Sequence, residues 1–269
     1  MSEPSTQPAW LPSRPISAFF SAWRDMHVRQ LMQADVNPNT LTAIGFGINV
    51  VAAIALACGY PRSGAAVIFL AGMFDVLDGA YARKAHKVTS FGAFFDSTID
   101  RFSDIVIFTG IAFHFAFGEG RDLEGQRHLY FILTSVALMG SVLTSYVRAR
   151  AENIIPDCHV GYMERAERTV LLIIAGAANH IYMAMWLIAV LSHLTVLRRI
   201  IHFRTELHRI DAEKGAGTAG APPTSTSFQN PVLNWVFFNF PRRTWQWDIC
   251  CGIVILLSLF PPFPGPIAG

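Results

Sequence analysis

An all-α integral membrane protein, with about six transmembrane helices and an N-terminal amphipathic helix at the interface, is the fold the sequence predicts. Three observations carry it. Only 15% of the 269 residues are charged, where a soluble domain carries about 25%. The mean hydropathy is +0.37, and apolar runs long enough to cross a bilayer recur along the chain. The arginines and lysines fall almost entirely on one side of those runs, as the positive-inside bias requires. A net charge of +2 is too small for a nucleic-acid binder, which carries a clustered basic face. The four cysteines, Cys58, Cys158, Cys250 and Cys251, have no framework spacing. Nothing in the sequence asks for an oxidising compartment.

The first segment, residues 1–35, opens MSEPSTQPAWLPSRP without a basic region followed by an apolar one, so no cleaved signal is expected. Ile16, Phe19, Phe20, Trp23 and Met26 then recur at helical spacing, with Arg24, Asp25 and Arg29 between them. That stripe suits a helix lying in the headgroup layer. Spans are expected at roughly residues 40–59, 64–82, 91–117, 129–147, 169–182 and 183–201. The fifth is short, and a tight turn around Asn179, His180 and Tyr182 joins it to the sixth. On one side fall Arg14, Arg24, Arg29, Arg83, Lys84, Lys87, Arg148, Arg150, Arg165, Arg168, Arg198, Arg199, Arg204 and Arg209. The other side receives Arg62, Arg121 and Arg127. The N-terminus and the loop after the second span are therefore expected in the cytoplasm. Residues 206–230 shift to a Gly/Ala/Pro/Thr composition and read as a disordered linker. Residues 231–269 form an aromatic, apolar membrane-associated tail. Its run ICCGIVILLSLF is short for a span, so an interfacial or re-entrant tail is favoured over a seventh crossing.

The chemistry lies where the second span meets the third. Asp75, Asp78, Gly79, Ala82 and Arg83 follow the i, i+3, i+4, i+7, i+8 spacing of one helical face, and Gly92, Asp96 and Asp100 share another. The loop KAHKVTS between them is short, so two antiparallel neighbours can aim four carboxylates at one point. A solvated acidic face is the ordinary explanation of such pairs. Here each carboxylate sits in or beside an apolar helix, where an ionisable group costs roughly 2.5–3.5 kcal/mol. Arg83 and Arg101 are too few to balance four carboxylates, whereas a hard divalent cation, Mg2+ or Mn2+, would. Gly79 and Ala82 remove bulk, which serves either ligand approach or helix packing. Asn39 and Thr40 read simply as a helix start.

The pattern D-x2-D-G-x2-A-R-x8-G-x3-D-x3-D, matched without a gap from Asp75 to Asp100, resembles the signature of the CDP-alcohol phosphotransferase family. The resemblance covers residues 36–205, which form the expected six-span domain. It implies transfer of a phosphate-bearing group from a CDP-linked lipid to an alcohol, with release of CMP. It further implies that Asp75, Asp78 and Asp96 hold a pair of metal ions. Asp100 would complete that site and act as general base. Asn39, Thr40, Gly79, Ala82, Arg83 and Thr89 would contact the CDP-lipid. A homodimer is the family's habit.

The acceptor must be read elsewhere. SYVRARAE and GYMERAERTV place Arg148, Arg150, Arg165 and Arg168 on the same face as the carboxylates. Membrane anchoring alone would account for basic residues here. The exclusive use of arginine, the better bidentate phosphate ligand, and the interleaved Glu164 and Glu167 favour a phosphate site. Both segments are similar to the branch of the family that makes phosphatidylinositol phosphate or archaetidylinositol phosphate, which implies inositol 1-phosphate as acceptor. Phosphatidylglycerol phosphate synthesis from glycerol 3-phosphate is the alternative. An ion-coupled transporter is the reading from another class, opposed by the absence of internal repeats. The expected setting is the plasma membrane of a prokaryote, with the site facing the cytoplasm. His86 and His180 read as loop residues, and Asp104, outside the metal shell, as orienting Arg101 or a neighbouring helix.

Overall fold

The computed structural model describes residues 14–34, 36–118, 125–155, 158 and 160–215. The expected tail at 231–269, most of the linker, Cys250, Cys251 and Arg121 lie outside them, as do the side chains of Ile16, Phe19 and Phe20. The described residues form seven helices and no strand: α1 (Arg14–Gln33), α2 (Pro38–Ala57), α3 (Pro61–Lys84), α4 (Ser90–Phe117), α5 (Arg127–Glu152), α6 (Arg165–Ala177) and α7 (Ile181–Gly215).

Local chemistry sets most of the helix ends. Asn37 caps α2 by accepting the Asn39 N–H at 3.0 Å, and Pro38 occupies the first helical position, where its missing N–H costs nothing. The cap is thus Asn37, not Asn39 or Thr40. Thr89 caps α4 by accepting the Gly92 N–H at 2.9 Å. Three helices stop with a residue in the left-handed region: Gly59 (φ 80°) after α2, His86 (φ 52°) after α3 and Asn179 (φ 64°) after α6. In each case the next N–H reaches back five residues, as in Lys87 N to Ala82 O at 3.0 Å and His180 N to Ala175 O at 2.7 Å. These are Schellman closures, and they make the α3–α4 and α6–α7 connections tight. The second turn therefore ends at His180, so α7 starts at Ile181 rather than at 183.

Among the described residues, four helices are long and apolar enough to cross a membrane: α2, α3, α5 and residues Ile181–Ile210 of α7. At 28 residues α4 has the length, but it carries Asp96, Asp100, Arg101 and Asp104. At 13 residues α6 reaches only about 20 Å. The six expected crossings are in this respect four, plus one charged and one short helix. The helix α7 runs on through residues 206–215, past the expected start of the linker, because TELHRIDAEK is built mostly of good helix formers and the first glycine is Gly215.

Packing follows the apolar stripes. On α2, Leu41, Gly45, Asn49, Ala52 and Leu56 face inward against α3 and α4. The principal core joins Leu56, Ile68, Phe108, Ile111, Leu133, Leu172, Met185 and Ile188. Close approach is possible where small residues meet: a Cβ on Gly110 would lie 2.4 Å from the Ala53 carbonyl oxygen. On α1 the buried residue is Val28, packed with Leu41, Leu77 and Tyr81 and flanked by Trp23, whereas Met26 is exposed.

Candidate active site

The C-terminal part of α3 and the N-terminal part of α4 bring the signature carboxylates together. Asp75, Asp78 and Asp96 each offer an oxygen within 4.8 Å of the others. Asp78 is buried and accepts a hydrogen bond from the Thr42 hydroxyl at 2.9 Å. Asp96 has a buried Oδ1 without a hydrogen-bond donor, an acceptor position that a hard cation would satisfy. The three carboxylates therefore fit a divalent metal.

Asp100 stands slightly apart. The guanidinium of Arg165, the first residue of α6, lies 2.9 Å from Asp100 Oδ1 and 2.9 Å from Asp75 Oδ2 through the same nitrogen. A single cation thus bridges the two outer carboxylates, ninety residues away from Asp75 in the chain. Its placement depends on the α6 N-terminus, where Glu164 and Glu167 form a reciprocal capping box.

Three cavities converge on this cluster. A cavity of about 280 Å³ is lined by Asn39, Thr42, Asp78, Gly79, Ala82, Arg83, Lys87, Thr89, Gly92 and Asp96. It gathers every expected CDP-lipid contact except Thr40, which is exposed. Gly79 matters here because the Arg83 guanidinium occupies the space beside it, 3.4 Å from where a Cβ would stand. A second cavity, about 330 Å³, is walled by Asp100, Arg101, Asp104, Arg148, Glu152, Glu164, Arg165, Arg168 and Arg199. The third is an apolar groove of about 740 Å³ between α1, α3, α4 and α6. Trp23, Ile68, Phe69, Val76, Val170 and Ile173 line it, and it ends at Asp75, Asp100 and Arg165.

The four expected acceptor arginines separate in this structure. Arg148 and Arg165 line the second cavity half-buried, with Arg148 Nε 2.8 Å from Glu152. Arg168 is almost fully buried: it donates to Asp104 at 2.7 Å, to the Thr144 hydroxyl at 3.1 Å and to the Met163 carbonyl at 3.2 Å. Asp104 also accepts from Ser141 at 2.8 Å, so of its two expected roles it holds the neighbouring helices α5 and α6, and the Arg101 guanidinium turns back onto the Ser97 carbonyl. Arg150 is exposed and lines none of the three cavities. Arg199, read from sequence as part of the positive-inside bias, is instead buried at the cavity wall, 2.8 Å from the Val160 carbonyl and 3.3 Å from Glu164. Thr42 and Lys87 are likewise site-lining residues that the signature does not contain. Only their place one turn beyond Pro38 and inside the α3–α4 loop could have pointed to them.

Carboxylates at the junction of a polar, an arginine-walled and an apolar cavity define, in an all-helical membrane protein, the layout of a lipid phosphotransferase. Residues 35–197 match the family model of the CDP-alcohol phosphatidyltransferases. The chain is 36% identical over 168 residues to an archaetidylinositol phosphate synthase of Methanothermobacter thermautotrophicus, covering 60% of this chain and 80% of that one. It is 35% identical over 190 residues to a phosphatidylinositol phosphate synthase of Mycobacteroides abscessus, covering 67% and 83%. Among solved structures, it is similar to Mycobacterium tuberculosis phosphatidylinositol phosphate synthase with CDP-DAG bound (TM-score 0.61, 29% identity, 67% of this chain and 92% of that one). The same enzyme in complex with manganese and citrate gives a TM-score of 0.62 at 31% identity, over 68% and 89%. The chain belongs to the CDP-alcohol phosphatidyltransferase family.

Proposed function

We propose that this enzyme transfers the phosphatidyl group of CDP-diacylglycerol to a hydroxyl of inositol 1-phosphate, giving phosphatidylinositol phosphate and CMP. The observation that carries this reading is the convergence of the three cavities on Asp75, Asp78, Asp96 and Asp100. The cavity at Gly79 and Arg83 takes the cytidine diphosphate, and Arg83 adds a charge-assisted hydrogen bond to a phosphate. The apolar groove receives the acyl chains. The arginine-walled cavity takes the acceptor, with Arg148, Arg165 and Arg199 toward its phosphate. The acceptor oxygen attacks the phosphorus that carries the diacylglycerol, the bond from that phosphorus to the oxygen of CMP breaks, and Asp100 takes the hydroxyl proton. Asp75, Asp78 and Asp96 would hold divalent metal, read as two Mg2+ or Mn2+ ions, which supplies charge neutralisation of the pyrophosphate. Asp100 would complete that metal site as well as serve as base, with the Arg165 guanidinium 2.9 Å from it and from Asp75 alike.

The same reading places the chain in the plasma membrane of a prokaryote. In it α4 and α6 complete a six-span domain over residues 36–205, α1 lies in the interface, and the site faces the cytoplasm. The one-sided distribution of Arg and Lys supports that orientation. Association into a homodimer belongs to this proposal as well. Phosphatidylglycerol phosphate synthesis remains the second reading, because glycerol 3-phosphate also brings a phosphate to the arginines.

The test is CMP release by the purified protein in detergent, with CDP-diacylglycerol and Mg2+. Inositol 1-phosphate, glycerol 3-phosphate, inositol and serine are supplied one at a time. Release with inositol 1-phosphate alone, abolished by EDTA and restored by metal, is the expected result. Release with glycerol 3-phosphate instead would keep the carboxylate site and overturn the acceptor.

A further inference from the structure

The loop that delivers Arg165 to the carboxylates is held at its backbone by α7. Thr195, fully buried on that helix, accepts the N–H of Tyr162 at 3.0 Å and that of Met163 at 3.2 Å, and donates its own proton to the Leu191 carbonyl at 2.7 Å. One hydroxyl thereby uses its donor and both acceptor positions. Gly161, with φ 141°, lies so close that a Cβ there would fall 2.3 Å from the Thr195 methyl. On the next turn Arg198 stacks on the Tyr162 ring at 4.9 Å, and Arg199 holds the Val160 carbonyl. Thr195 lines none of the three cavities, so it does not touch a substrate bound in them.

Resting on the proposed acceptor site, we infer that Thr195 is a positioning residue for the transfer. It fixes the backbone two residues ahead of the α6 start, and so sets the Arg165 guanidinium at bonding distance from both Asp75 and Asp100. Two N–H groups that precede a helix start have no carbonyl of that helix to accept them. Without the Thr195 oxygen they turn elsewhere, and the α6 N-terminus turns with them. Misplacement by about an ångström is enough to weaken an ion pair aimed at two oxygens.

The experiment compares Thr195→Val, which keeps shape and methyl but removes the hydroxyl, with Thr195→Ser, which keeps the hydroxyl. Arg165→Ala and the Thr195→Val/Arg165→Ala double variant are measured beside them. Thr195→Val is expected to raise the KM for inositol 1-phosphate about tenfold, leaving the KM for CDP-diacylglycerol unchanged. Thr195→Ser should stay within about twofold of the parent enzyme. In the Arg165→Ala background the Thr195→Val effect should vanish, since the side chain it positions is gone. If Arg165→Ala raises the acceptor KM but Thr195→Val leaves it unchanged, or adds in full to the double variant, the inference is overturned while the acceptor site stands. If Arg165→Ala leaves acceptor kinetics unchanged, the acceptor site itself falls and the inference with it. Should Thr195→Val not fold, Thr195→Ala against Thr195→Ser isolates the hydroxyl: a higher acceptor KM for Ala alone supports the inference, and equal values overturn it.

Discussion

Asp100 and Arg165 meet at 2.9 Å, so substitution of either changes what the other can do. Asp100→Asn should lower kcat by about 10²–10⁴-fold, the range of a general base, with little loss of CDP-diacylglycerol binding; CMP release and equilibrium binding of the donor measure the two effects. Arg168 behaves differently, because it is almost fully buried at the cavity wall and committed to Asp104. Arg168→Ala leaves the Asp104 charge without its cation and should destabilise the fold by about 3–5 kcal/mol, read as a lower Tm in detergent. Arg150→Ala at the exposed neighbouring position should stay within about 0.5 kcal/mol. Spacing alone does not separate these arginines. Arg165 and Arg168 lie three residues apart on α6, and that rotation decides between a half-buried guanidinium and an almost fully buried one. The four carboxylates were legible because their spacing is itself the signature; Arg199 was not, since an arginine near a membrane boundary reads as an anchor.

Helix ends and helix contacts carry the next level of prediction. Gly110 packs α4 onto α2 at a backbone carbonyl, which cannot rotate away as a side chain would. Gly110→Ala should therefore cost about 1–3 kcal/mol, again read as Tm. At the other end of α3, Lys84 and Asp25 join α3 to α1 at 2.9 Å. The Lys84 hydrogen bond, with Arg24, holds the Asp25 carboxyl below its usual range. A lowered carboxylate pKa contributes above the unfolded value, about 3.9, and its contribution is lost as pH falls through the folded one. Protease access to the α1–α2 connection should thus be flat from neutral pH down to about pH 4 and rise below it; an unchanged digestion rate at low pH would remove the latch. Most elements were readable from apolar runs and turn residues. The shortfall lies where charges interrupt α4 and where α6 is brief, because length and hydropathy report crossing only for uninterrupted apolar helices. The inward face of α1 was not legible for another reason: its partners, Leu41 and Tyr81, belong to other helices, and periodicity within α1 does not contain them.

For the molecule as a whole, the orientation is the property that most needs a measurement. Cys58 is exposed at the end of α2, opposite the carboxylates. In a variant lacking Cys250 and Cys251, a membrane-impermeant maleimide should label Cys58 from outside intact cells. A cysteine placed at Val88, in the α3–α4 loop, should react only after lysis. Labelling in the reverse order would invert the topology. The route by which the site is assembled follows from the chain order of its parts. All four carboxylates lie on the single hairpin α3–α4, closed by a loop of a few residues. Their cationic partner arrives only with α6, ninety residues beyond Asp75. During synthesis the acidic half is therefore complete before α5 and α6 have been made. A chain truncated after α4 would already own its carboxylate cluster but not Arg165, which bridges Asp75 and Asp100, so in that intermediate the charge beyond what Arg83 and Arg101 offset falls to water or to cations at the membrane boundary.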